Sequence, residues 1–133
     1  MNPRTCLTFA ALALALAVGL GAFAAHVLKA RLAAEPLAAF HTAVQYQAWH
    51  GVGLLVTGSL WLSHPRSRMF AWAARLLASG VVLFCGALYA WALIGLSWLT
   101  AFAPLGGAAL IAGWVALALA LWRELGPGRH GPP

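Results

Sequence analysis

The sequence predicts an all-α membrane fold: a bundle of four transmembrane helices with a short amphipathic segment between the first and second spans. Three observations carry this reading. Hydrophobic residues make up 63% of the 133-residue chain and charged residues only 8%, whereas a soluble domain carries about a quarter charged residues. Uncharged apolar stretches recur at the length of about 20 residues that a helix needs to cross a hydrocarbon core. These stretches do not alternate apolar with polar residues. Lipid-exposed backbone must be helix or closed barrel, and barrel strands alternate over about 10 positions.

The first span, Leu7 to Ala25, contains no charged residue and only Thr8 as a hydroxyl. Arg4, the apolar run and the Ala22-Phe23-Ala24 triplet also fit a cleaved signal. The stretch is long enough to span, however, and Gly19 and Gly21 suit close helix packing. From His26 to Thr42 the chain holds Lys29, Arg31, Glu35 and Pro36, with Leu37, Phe40 and Val44 at helical spacing. This predicts a loop and then a short amphipathic helix beginning near Pro36 and running into the second span, lying at the interface or capping the bundle. A plain polar loop is the simpler alternative.

The second span, Ala43 to Leu62, opens with the polar residues Gln45, Tyr46, Gln47 and His50. The third, Leu76 to Leu96, is the cleanest. A connector with Ser97, Trp98 and Thr100 leads to the fourth, Pro104 to Trp122, where Pro104 suits a first helical turn. Residues 1–125 are expected to form one domain. The tail, 126–133, contains Gly126, Pro127, Gly128, Pro132 and Pro133 and is expected to be disordered.

The net charge of +6 does not indicate nucleic acid, because the basic residues are scattered and flank the spans, as membrane orientation requires. Arg4, Arg66, Arg68, Arg75, Arg123 and Arg129 fall on one side; Lys29 and Arg31 fall on the other. That asymmetry predicts both termini in the cytoplasm. Cys6 and Cys85 lie in apolar segments without metal-ligand spacing, and two cysteines make no disulfide framework.

Small residues at four-residue spacing mark candidate helix contacts: Gly21 with Ala25, Gly86 with Ala90, and Ala109 with Gly113. Such pairs let backbones approach closely, within the chain or between copies. Tyr46 and His50 share a helix face, while Gln47 points elsewhere. His26 ends the first span on the same outer side. Polar groups at membrane depth are expensive and face protein or a cavity. His26, Tyr46 and His50 are therefore expected to share a polar site near the outer end of the first two helices. They would either tie those helices together or hold a ligand, a quinone, an ion or, through both histidines, a haem or metal. The only carboxylates, Glu35 and Glu124, lie outside the spans. No catalytic set, phosphate loop or zinc pattern appears, so no enzyme, cofactor or metal is expected.

Four blocks give the chain a recognisable pattern. Gly21-Ala22-Phe23-Ala24-Ala25-His26 resembles the G-A-F-G-A-H motif of domain-of-unknown-function family 423, the YgdD-like small membrane proteins. Tyr46-Gln47-Ala48-Trp49-His50 matches that family's Y-Q-x-x-H. Phe84-Cys85-Gly86-Ala87-Leu88-Tyr89 resembles its F-S-G-S-L-Y, and Pro104-Leu105-Gly106-Gly107 its P-x-G-G, followed by Gly113-Trp114. Ala24 and Cys85 depart from the usual Gly and Ser. The resemblance implies an uncleaved four-span inner-membrane protein and no particular reaction.

Two functions compete. The first is a non-enzymatic accessory or assembly factor that packs against a larger membrane complex or against itself. The second is a small transporter or ligand-binding protein using His26, Tyr46, Gln47 and His50. A water-filled path would favour the latter, and a tight bundle with an exposed small-residue face the former.

Overall fold

The computed structural model describes residues 1–124; the tail expected at 126–133 lies outside them. Four long helices follow in order: α1 Pro3–His26, α2 Ala34–Ser63, α3 Arg68–Ile94 and α4 Ala103–Glu124. Short 3-10 turns, Leu28–Ala30 and Ser97–Phe102, join α1 to α2 and α3 to α4. No strand occurs among the described residues.

Each helix end has a local cause. Asn2 caps α1, its Oδ1 accepting from the Thr5 amide at 2.8 Å, with Pro3 in the first turn, where an N–H has no intrahelical partner. The Ser67 hydroxyl accepts from the Phe70 amide at the start of α3. Gly95 ends α3 in the left-handed conformation, φ 71°, which a glycine adopts without steric cost.

One boundary agrees and one shifts. The amphipathic segment expected to begin near Pro36 and run into the second span is the beginning of α2, an unbroken helix of 30 residues, about 45 Å long. Pro36 falls in its first turn, which tolerates a missing N–H, and Glu35 complements the positive end of the helix dipole. Helix α3, by contrast, starts at Arg68 rather than Leu76. Arg75 is accommodated with its guanidinium 5.7 Å from the Trp72 ring, an exposed cation–π contact.

Helices α2 and α3 form the inner pair; α1 packs along α2 and α4 along α3. Three segments are long and apolar enough to cross a membrane: Pro3–Ala30, Arg68–Ile94 and Ser97–Glu124. Helix α2, which carries Gln45, Gln47 and His50, runs between α1 and α3. It buries Phe40, Ala43, Gln47, His50, Leu54, Thr57 and Trp61 against its neighbours. The main core unites all four helices through residues such as Cys6, Leu54, Leu77 and Leu117. A smaller cluster of Ala24, Leu28, Phe40 and Ala92 closes the end where α1 turns into α2.

Glycines set the helix spacing. A β-carbon at Gly51 would lie 2.9 Å from Leu14, and one at Gly58 2.8 Å from Leu7, so α1 rests directly on α2. Gly80 receives Leu110 and Gly113 receives Leu77 across the α3–α4 seam, while Gly106 abuts the Phe84 backbone.

Candidate functional site

The polar side chains of the spans resolve into two neighbouring arrangements on α2. The first is a bridge centred on Gln47, which is 4% exposed. Its Nε2 donates to the Ala13 carbonyl on α1 at 2.8 Å, and its Oε1 accepts from the Tyr89 hydroxyl on α3 at 2.9 Å. One carboxamide therefore ties three helices through neutral hydrogen bonds, where leaving either group bare in hydrocarbon would be costly. Gln47 thus points away from the Tyr46–His50 pair, as its spacing suggests. Its partners are not legible in the sequence: the Ala13 carbonyl leaves no trace in the side-chain pattern, and the Tyr89 hydroxyl lies on another helix.

The second arrangement is aromatic. Tyr46 stacks on Phe84 of α3, centroids 4.7 Å apart, and on His50 one turn further along α2, at 5.6 Å and 26°. Trp114 of α4 lies 6.1 Å from the His50 ring, and Trp49 lies 5.6 Å from Tyr46. The Trp114 ring is seated against α2 at Gly53, where a β-carbon would lie 2.8 Å from it. His50 is 7% exposed, and its Nδ1 lies 2.6 Å from the Tyr46 carbonyl.

His26 joins neither arrangement. It is exposed at the last residue of α1 and makes no hydrogen bond. The α1–α2 contacts fix the register: Gly21 meets Val44, Leu14 meets Gly51, and Leu7 meets Gly58. On that register His26 is level with Ala39, about eleven residues and about 16 Å of helix rise short of His50. The shared His26–His50 site expected from the sequence therefore does not form. Its physical cause is the early start of α2 at Ala34, which moves His50 from the outer end to the middle of the helix. Haem or metal ligation by the two imidazoles falls with it, and no cluster of three potential metal ligands occurs among the described residues.

The expected packing residues divide. Gly106 and Gly113 sit in tight helix contacts; Gly21 meets Val44 at 3.6 Å, and Gly107 barely reaches Phe84 at 4.0 Å. Ala90 and Ala109 are half-buried and Ala25 is exposed. Gly86 is the clear exception: a β-carbon there would touch nothing within 4 Å. Gly51, Gly53, Gly58 and Gly80 make close contacts that four-residue spacing did not single out.

Gly86 instead lines an open groove of about 430 Å³ between α1 and α3. Leu12, Leu16 and Val82 form its walls, with Gln47, Cys85 and Tyr89 at its floor. The Gln47 Nε2 has two N–H groups and gives one to Ala13, so the groove's polar floor has hydrogen-bonding capacity to spare.

The family described as "Protein of unknown function (DUF423)" matches residues 20–107. The chain belongs to this family. Its sequence is 40% identical over 116 residues to a UPF0382 membrane protein of Staphylococcus haemolyticus, covering 87% of this chain and 93% of that one. It is 39% identical over 110 residues to the UPF0382 membrane protein YwdK of Bacillus subtilis, covering 83% and 89%. The UPF0382 inner membrane protein YgdD of Escherichia coli K12 is 38% identical over 114 residues, 86% of each chain. No solved structure matches.

With relatives of nearly equal length named as membrane proteins, this chain is a helical integral membrane protein, and neither the family description nor those names point to catalysis. The matched span takes in the Gln47 bridge partner Tyr89, the Tyr46–His50 pair, Gly86 and Gly106.

Proposed function

We propose that the protein is a non-enzymatic accessory factor of the inner membrane that packs against another membrane protein, receiving one of its transmembrane helices in the groove between α1 and α3. The carrying observation is the open space over Gly86 on the α3 side of that groove. Gly51, Gly53, Gly58, Gly80, Gly106 and Gly113 are filled by neighbouring helices, whereas Gly86, like Gly19 on α1, has nothing within 4 Å, and of these two it is Gly86 that lines the groove. An occupant in hydrocarbon must be apolar, as the groove walls are, and close helix approach over small residues is how membrane helices associate. The spare hydrogen-bonding capacity of Gln47 suits a small polar group on such a helix. The interior supports this reading over a transporter, because among the described residues every fully shielded polar side-chain atom has a partner and the core is side chain against side chain.

In this reading both termini face the cytoplasm, with Arg66, Arg68, Arg75 and Arg123 at that end of the bundle and Lys29 and Arg31 at the other. A photoreactive side chain at position 82, on the groove wall, tests the assignment in intact membranes. The expected product is a single protein adduct of defined mass, abolished by Gly86→Leu while thermal stability stays unchanged. Adducts to phospholipid alone, or a protein adduct indifferent to Gly86→Leu, would reject it.

A further inference from the structure

The aromatic arrangement beside the Gln47 bridge contains two polar atoms with nothing to bond. A carbonyl oxygen only accepts, so the His50 Nδ1 facing the Tyr46 carbonyl at 2.6 Å carries the ring hydrogen of the neutral imidazole. Its Nε2 is left as an acceptor. No described residue donates to that nitrogen, and the Tyr46 hydroxyl has no hydrogen-bond partner either. Among the described residues every fully shielded side-chain nitrogen and oxygen is bonded, so neither of these two atoms is fully shielded. They lie midway along α2, where the surroundings are hydrocarbon and water is not at hand to complete the bonds.

We propose that the Tyr46–His50 pair binds a membrane-soluble hydroxylated aromatic compound of the quinol class. The complementarity is specific. A quinol O–H donates to His50 Nε2, and a quinol oxygen accepts from the Tyr46 hydroxyl, so one neutral molecule satisfies both atoms. Phe84 and Trp114 bring aromatic surface to either ring of the pair, and a planar ring stacks on such surfaces in offset or tilted geometry. Gly53 holds Trp114 in place. No charged side chain takes part in these contacts, which selects a neutral ligand. This site involves α2, α3 and α4 and is independent of the α1–α3 groove.

The test uses the full chain in mild detergent with ring-¹⁵N-labelled histidine, and duroquinol as the probe. Duroquinol should shift the His50 Nε2 resonance saturably, leaving His26, His41 and His64 unmoved. Its dimethyl ether, which has the same ring and no O–H, should not. Tyr46→Phe should weaken the apparent affinity about five- to tenfold, as loss of one hydrogen bond does, with the label still reporting at His50. His50→Gln, which keeps an acceptor and the fold, should retain partial binding measured by equilibrium dialysis, whereas His50→Leu should abolish it. A shift that never saturates, an equal shift with the dimethyl ether, or an unchanged affinity in Tyr46→Phe would overturn the proposal. Loss of the α1–α3 adduct in Gly86→Leu leaves these readouts untouched, so the two readings fail separately.

Discussion

Gly106 lies directly on the backbone of Phe84: a β-carbon at position 106 would stand 2.5 Å from the Phe84 amide nitrogen and 2.8 Å from its Cα. Neither atom can move aside without moving α3. Gly106→Ala is therefore expected to cost about 1–3 kcal/mol, the range for overpacking a tight contact, read as a lower thermal midpoint in detergent. Gly86→Ala is the control, because open space surrounds that position. It should leave stability unchanged or raise it by about 0.4–1 kcal/mol through the unfolded chain. Equal losses in the two variants would contradict the α3–α4 seam.

Replacing Gln47 with Leu removes the bonds to Ala13 and Tyr89 together and leaves the Tyr89 hydroxyl bare. A loss of about 1–3 kcal/mol is expected. Tyr89→Phe takes away only the donor and should cost less, about 0.5–1.5 kcal/mol. Because the two residues share one bond, the double variant should be less destabilised than the sum; strict additivity would dissolve the bridge.

Ser67 serves two helices, capping α3 through the Phe70 amide and donating to Glu124 at the end of α4 at 3.1 Å. Ser67→Ala should lose about 0.5–2 kcal/mol, as helix caps do. Unfolding followed by circular dichroism would show it, and a wild-type midpoint would mean the cap is idle.

His26→Ala should change stability by no more than about 0.5 kcal/mol, since the side chain is exposed and unbonded. A drop comparable with that of Gln47→Leu would point to a contact the structure lacks.

For orientation, a reporter joined after Pro133 should read cytoplasmic, and a cysteine introduced at Lys29 should react with an impermeant reagent from outside. Periplasmic activity of the reporter would reverse the assignment.

The four helices were legible because hydropathy over about 20 residues is a strong signal, and the Gly95 stop and Pro3 start follow ordinary end chemistry. The start of α2 near Pro36 was legible too, since Glu35 and Pro36 are both at home in a first helical turn. The level of His50 was not, because a count from Ala43 leaves out the nine helical residues before it, which shift every depth on that helix. Among the candidate site residues, Tyr46 and His50 do meet, as their four-residue spacing requires. His26 fails because its level relative to His50 depends on that count. Gly86 and Gly106 look alike in sequence; only the register between α3 and α4 decides which of them is covered. Gln47 shows the remaining gap, since its partners sit on two other helices.

The Gln47 bridge also bears on how the chain is made. Its donor reaches back to Ala13, on the helix synthesised before it, and its acceptor waits for Tyr89, on the helix synthesised after. A nascent chain that released α2 into lipid alone would carry an unmatched carboxamide there. The hairpin of α1 and α2 must therefore leave the insertion machinery together, with the second half of the bond completed only on the arrival of α3. Biogenesis of the least apolar helix is thus a matter of timing between its neighbours.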